Sequence, residues 1–185
     1  NIPAMKMKLI TLVLCVCVSV IGSVQATLAD QDALAEPLDQ LQHLAQLTDI
    51  LDLARARDGQ LGFNQLIEHD EYWVNSPNDR LVLLNDKMQQ YFKSLLKESG
   101  SPFIELLLLG SQGEILAAYP LPDDFWHGNT AKFINVMADE NTYIDELSWD
   151  AGSRHIQAQI SVPIKGQNNE MFGVLIGRVN THMQP

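Results

Sequence analysis

The chain is poor in cysteine, in basic residues and in long apolar runs. Of its 185 residues only two are cysteines, Cys15 and Cys17. Both fall in an N-terminal stretch with the grammar of an export signal: Lys6 and Lys8, an apolar run over 9–21, then Val24-Gln25-Ala26 at the cleavage positions. The chain beyond residue 26 has no disulfide to close it and no thiolate for a metal site. It must be held by its core alone, and a domain of this length buries roughly 70% of its unfolded surface. A cysteine-free exported domain fits a Gram-negative bacterial periplasm better than a disulfide-dense secreted scaffold. The apolar run is short of the about 20 residues of a membrane span, so cleavage is expected and an uncleaved anchor is the alternative. Residues 1–4 lie upstream of Met5, which has the look of the natural start.

Basic residues number 12 against 23 acidic ones. Without Lys6 and Lys8 ten remain, and the exported part carries a net charge of −13. Such a surface repels phosphate backbones and excludes nucleic acid as a partner. It also disfavours anionic lipid. Solubility accounts for it without any acid-reading partner.

The start of the exported part, 27–36, is polar and expected to fray. From Pro37 a stripe of Leu38, Leu41, Ala45, Thr48 and Leu51 predicts one long helix, stopped by Asp58-Gly59. It can pack on the sheet or pair with a second copy. A short helix over 64–73, capped by Asn64, would anchor itself through Tyr72 and Trp73. Ser76-Pro77 restarts the chain, and Leu81, Leu84, Met88, Phe92 and Leu95 predict a core helix running to Ser99-Gly100. After Pro102 the pattern changes to five strands: 103–109, 113–119, 143–149, 155–163 and 171–179. The first is almost wholly apolar, as a strand covered on both faces should be. In the fourth, Ile156, Ala158, Ile160 and Val162 share one face, and His155, Gln157, Gln159 and Ser161 the other. Gly173 and Gly177 fall on one face of the last strand and predict a close approach there. Short connections imply an antiparallel sheet with helices placed before it, an α+β domain over 37–180. Its helical part is 37–100 and its sheet 103–179.

Catalytic chemistry finds little footing. Asp150, Ser153 and His155 lie within one turn and strand start, without the strained elbow a serine nucleophile needs. The acidic pairs Asp123-Asp124, Asp139-Glu140 and Asp145-Glu146 read as solvated surface. The five histidines are scattered, with no metal-ligand spacing. No enzyme activity, metal or cofactor is expected. The insertion 123–133, DDFWHGNTAKF, differs. Phe125 and Trp126 offer flat apolar surface, and Asp124, His127, Asn129 and Lys132 offer polar groups, the mixture a small polar ligand requires. Alternatively the two rings plug the sheet edge. The amide row of Gln157 and Gln159 favours the ligand, because amides on a sheet need partners.

The order IELLLLGSQGEILAAYP, DDFWHGNTAKF and TYIDELSWDAGSRHIQAQISVPIKGQNNEMFGVLIGRV resembles the extracytoplasmic Cache (PDC-type) sensor domains. Val162-Pro163-Ile164, Gly166 and Gly173-Val174-Leu175 match their closing strands; Phe125-Trp126, Gly128, Asp150, Ser153 and Gln159 stand where the stand-alone periplasmic members carry similar residues. The resemblance covers 37–179. It implies long N-terminal helices followed by a PAS-like five-stranded antiparallel sheet, in a signal-transduction module that binds a small polar metabolite. The implied ligand-binding residues are Phe125, Trp126, Lys132, Tyr143, Asp150, Ser153, Gln157 and Gln159. Trp126 would stack, Lys132 would meet an anionic group, and Asp150, Ser153 and Gln159 would supply hydrogen bonds. Phe125 replaces the arginine that amino-acid-binding relatives place before the loop tryptophan. The implied partner is a membrane sensor kinase or chemoreceptor, with a homodimer through the N-terminal helix as a further expectation. A ligand-free interaction or dimerisation module on the same scaffold is the alternative, and a hydrolase the third.

Overall fold

Strand β1 (Phe103–Gly110) is the spine of the molecule, and Leu106, Leu107, Leu108 and Leu109 are all buried in it. It pairs antiparallel with β2 (Ile115–Tyr119) on one side and with β6 (Met171–Thr181) on the other. Strand β5 (His155–Lys165) continues the sheet beyond β6, and two short strands, β3 (Tyr143–Ile144) and β4 (Ser148–Asp150), share its outer edge. The computed structural model describes residues 33–145, 147–151 and 155–181. The export signal over 1–26, most of the start over 27–36, and Ser153 lie outside them. The chain divides into two units, Asn1–Glu36 and Pro37–Pro185. Of the first, only residues 33–36 are described, as helix; the second carries the sheet and the helices that cover it.

The fold is α+β with an antiparallel sheet, as the spacing of strands implied. The third expected strand is interrupted: 143–149 becomes β3 and β4, and between them the Asp145 N–H donates to the Gln159 carbonyl at 2.9 Å.

The expected first helix is also two. In the second unit helix α1 covers 37–45, and α2 (Thr48–Arg57) begins after Leu47, which takes an extended conformation with ψ 134°. Its buried positions therefore run Leu41, Ala45, then Ile50 and Ala54. The break lengthens the step after Ala45 from the helical three or four residues to five, so Thr48 is exposed and Ile50, not Leu51, is the next fully buried position. Helix α3 spans Phe63–Asn75 and starts one residue earlier than expected. Gly62 precedes it, its N–H bonded to Gln65 Oε1 at 2.9 Å, so Asn64 lies within the first turn. Trp73 is fully buried, whereas Tyr72 is 39% exposed.

Ser76-Pro77 does not start the core helix. A 3-10 turn over Arg80–Leu83 intervenes, and α4 (Asp86–Lys97) is capped by Asn85, whose Oδ1 accepts the Met88 N–H at 2.9 Å. Arg80 holds the intervening segment by donating to the Trp73 carbonyl at 2.8 Å and the Pro122 carbonyl at 3.1 Å. Leu81 consequently stays exposed, while Met88 and Phe92 are buried.

Strand periodicity divides the core between the two sheet faces. On one, Leu107, Leu109, Val174 and Ile176 pack with Leu66 and Trp73 of α3, with Phe125, and with Phe133 and Val136 of α5 (Ala131–Asp139). On the other, Leu106, Leu108, Ile160, Val162 and Leu175 meet the layer of α1, α2 and α4. Gly177 permits that second layer: a Cβ there would lie 2.7 Å from the Phe103 ring and 3.1 Å from Leu41 Cδ1. At Gly173 it is the neighbouring strand that comes close, since a Cβ would sit 2.0 Å from the Leu109 carbonyl oxygen.

The outer edge of β2 is sealed, which removes a template for unwanted pairing. The Ile115 N–H donates to the Phe125 carbonyl at 3.1 Å, and the Asn85 N–H to the Leu116 carbonyl at 3.1 Å. The buried amide of Gln89 closes the rest. Its Oε1 accepts the Ala118 N–H at 2.8 Å, and its Nε2 donates to the Ala118 carbonyl.

Candidate functional site

The face that carries Leu107, Leu109, Val174 and Ile176 changes character along the strands. In register with the apolar end, the other end presents Glu105 on β1, Arg178 and Asn180 on β6, and Gln157 and Gln159 on β5. Period-two alternation forces these side chains onto the α5 side of the sheet, because Glu105 shares parity with Leu107 and Arg178 with Ile176.

They form a connected polar row. Arg178 Nη2 lies 3.3 Å from Glu105 Oε2. With the Gln159 amide oriented so that its oxygen faces the guanidinium, that oxygen accepts from Arg178 Nε at 3.2 Å and Nη2 at 2.8 Å. Gln157 Nε2 donates to Asp150 Oδ2 at 3.3 Å and to Asn180 Oδ1 at 3.2 Å. The Tyr143 hydroxyl reaches Asp145 Oδ1 at 3.4 Å. A cavity of about 150 Å³ opens here, lined by Asp145, Ser148, Gln157, Ala158, Gln159 and Arg178. That is room for roughly five water molecules at ~30 Å³ each, and hence for a molecule of few heavy atoms. Two larger clefts, of about 390 and 400 Å³, lie in the helical layer around Leu44 and Leu95 and around Ile50 and Met88. The first is lined also by Asp39, Gln40, His43 and Glu98, the second by Asp49 and Lys87, which form an ion pair at 2.7 Å; both lie on the helical side, away from the strand-borne polar row.

Helix α5 brings Lys132 to this end of the sheet. Its ammonium is half-buried and makes no hydrogen bond or ion pair among the described residues. Burial depresses its pKa; Glu105 is the strongest neighbouring charge and opposes the fall, Arg178 adds to it, and Asp145 and Asp124 oppose it. Arg178 and Asp145 line the cavity, Glu105 is paired with Arg178, and Lys132 lies within electrostatic reach of all three without being part of the lining. Such a site suits a compact ligand with an anionic end and hydrogen-bonding groups.

Of the residues singled out from sequence, Lys132, Tyr143, Asp150, Gln157 and Gln159 gather at this end. Ser153 lies outside the described residues. Phe125 and Trp126 are placed elsewhere. Phe125 is 2% exposed, its ring 5.6 Å from those of His69 and Trp73. Trp126 packs against the same core, and its Nε1 donates to the Gln112 carbonyl at 2.8 Å. Asp70 Oδ1 accepts both the Phe125 and Trp126 N–H groups at 3.0 Å. The backbone of Trp126 bridges to Glu114 beyond β2. The pair occupies the sheet edge, the alternative that their spacing left open.

Next to them His127 is 6% exposed, and its Nε2 has no partner. Its pKa falls to about 4, from burial first and then from Lys132, against the opposing charges of Asp124 and Asp70. Arg178, Glu105, Asp145, Ser148 and Asn180 were not anticipated. Glu105 and Arg178 did leave a signal, since each is a lone charge inside an otherwise apolar strand.

No family model matches the chain, and no curated protein matches it. Solved structures do. One is the ligand-binding domain of the amino acid chemoreceptor PctC of Pseudomonas aeruginosa PAO1 in complex with GABA. It is 16% identical over 89% of this chain and 61% of its own, with a TM-score of 0.46. Another is the sensory domain of the Campylobacter jejuni chemoreceptor Tlp3 with isoleucine bound. There the identity is 16%, the coverage 97% and 64%, and the TM-score 0.47. The ligand-binding domain of the Pseudomonas aeruginosa PAO1 receptor PctB with L-Arg is 21% identical over 63% of this chain and 52% of its own, with a TM-score of 0.36. These three structural neighbours are ligand-binding or sensory domains of chemoreceptors. The chain spans about 61 to 64% of the length of the first two.

Proposed function

We propose that the chain is an extracytoplasmic sensing module that binds a small polar metabolite and reports to a membrane signalling partner such as a sensor kinase or chemoreceptor. The observation that carries this reading is Lys132. A half-buried ammonium without an ion pair among the described residues, within electrostatic reach of the Arg178 and Asp145 that line the polar cavity, is unfavourable as it stands and would be relieved by an anionic ligand group. Asp150, Gln157, Gln159 and Tyr143 supply the remaining polar contacts, and the reading needs no catalytic step. Among the described residues no helix is long and apolar enough to cross a membrane. Delivery of the signal would therefore rest on docking, or on segments outside the described residues.

The test is a thermal-shift screen of the purified chain against millimolar carboxylates, amino acids and polyols. A carboxylate at a hundred times its Kd stabilises by about 2.7 kcal/mol, or roughly 8 °C for a domain of this size. Lys132→Met should abolish that shift without lowering the melting point of the unliganded protein. A melting point indifferent to every compound would remove the ligand from the proposal.

One observation favours the interaction module instead. Phe63, Ile67 and Val74 lie along one face of α3 and are 67%, 39% and 53% exposed. Concentration-dependent association in sedimentation, abolished by Ile67→Lys, would support that reading.

A further inference from the structure

Ser161 is a polar residue on the α5 side of the sheet that takes no part in the polar row. It lies on β5 two residues beyond Gln159, opposite Ile176 on β6 and Tyr143 on β3. It is 0% exposed, and its Oγ has no hydrogen-bond partner. By strand parity it shares the face of Gln157, Gln159 and Arg178, about 7 Å along the strand from Gln159. On β5 the cavity is lined by Gln157, Ala158 and Gln159, and Ser161 is not part of that lining. An orphaned hydroxyl one strand step past the lining of a polar cavity is a group waiting for a donor or acceptor.

A serine hydroxyl inside an apolar layer weakens that layer, and alanine would pack there with no unpaired atom. Its placement beside the row that holds Gln159 and Arg178 gives it a use that a core position would not. We infer that Ser161 is the specificity-determining residue of the proposed site: when the site is occupied, the cavity lengthens by one strand step beneath α5, and Ser161 Oγ bonds to an oxygen on the carbon next to the ligand's carboxylate. The inference rests on the proposed sensing function. It narrows the ligand from small polar molecules to short carboxylates with a 2-hydroxy or 2-oxo group. The carboxylate lies toward Lys132 and Arg178, the second oxygen toward Ser161. The cavity's volume, together with the added step, suits an acid of about three carbons.

Lactate, pyruvate and propionate have the same carbon count and differ at the position that Ser161 would read. Their binding to the wild-type chain and to Ser161→Ala, by titration calorimetry and thermal shift, tests the inference. The wild type should prefer lactate or pyruvate over propionate by about tenfold, the yield of one hydrogen bond to a neutral hydroxyl. Ser161→Ala should erase that preference, leave propionate binding unchanged, and keep or raise the melting point of the unliganded protein. Three results overturn the inference while leaving the sensing function intact: a preference that survives in Ser161→Ala, equal binding of all three acids by the wild type, or a melting point lowered by several degrees in unliganded Ser161→Ala, which would show that the hydroxyl already has a partner. Failure of all three acids to bind the wild type, when another compound of the metabolite screen does bind, overturns the inference alone. If nothing in that screen binds, both fall.

Discussion

Acid should unfold this protein through His127. The imidazole is buried at the turn leading into α5, and its pKa lies at about 4 against an ordinary 6.5. Burial is the first cause and the Lys132 charge the second. Around it, α3 contributes Asp70 and its own segment Asp124, and both hold the fall in check. A base whose folded pKa is depressed contributes stability that is complete above its unfolded pKa and lost as pH falls through the folded one. Between pH 6.5 and 4 the unfolded chain binds the proton that the folded chain refuses, at about 1.4 kcal/mol per pH unit. From pH 7 to pH 4.5 the loss amounts to roughly 2.4 kcal/mol, a sizeable share of a typical domain's stability.

Glu114 works in the opposite sense. It is 2% exposed, and burial raises its pKa against the hydrogen bonds it accepts from backbone N–H groups. The stability tied to its protonation is present at low pH and lost as pH rises through that elevated value. The wild-type curve alone therefore mixes the two groups. Urea melts of wild type and His127→Gln across pH 4.5 to 7 separate them, because the difference between the proteins contains only His127. That difference should shrink toward acid by about 2 kcal/mol. Parallel curves would refute the argument, because they would mean that the imidazole titrates alike in the folded and unfolded chain.

Two further outcomes concern the polar groups of the sheet. Gln89→Leu should cost about 2–4 kcal/mol in chemical denaturation, because it strands both the N–H and the carbonyl of Ala118 at a buried edge; a neutral result would mean that water reaches that edge. Arg178→Met should cost about 2 kcal/mol by leaving Glu105 and the Gln159 oxygen without their donor, and adding Glu105→Leu should recover most of it, whereas a double variant less stable than the single one would contradict that account.

The sheet was legible in the sequence because its signals are local and repeat every second residue. Leu106 to Leu109 and the alternation of 156–162 each marked a strand without reference to anything distant. The helices were read less well, for a matching reason. The break at Leu47 carries neither glycine nor proline, and it shows only as a five-residue step from Ala45 to Ile50 on the buried face. The delayed start of α4 depends on Arg80 reaching Pro122, 42 positions along the chain. No window of local periodicity contains that bond.

The site divides along the same line. Gln157 and Gln159 stand out as amides on a sheet face and Lys132 as a cation in the loop 123–133, whereas Tyr143 and Asp150 enter only through the family resemblance. The fates of Phe125 and Trp126 turned on a carboxylate from α3, since Asp70 takes both of their N–H groups and fixes them at the edge of β2. An aromatic pair in a polar loop has the same composition whether it walls a cavity or closes a sheet; only the partner of its backbone distinguishes the two. Lone charges are more informative. A pair such as Glu105 and Arg178 confers no clear advantage over two well-packed apolar residues, and the other end of the same face shows that this sheet can be covered by an apolar layer. That only one end is polar, and that this end lies beneath the helix carrying an unpaired lysine, is a stronger pointer to ligand binding than the aromatic loop.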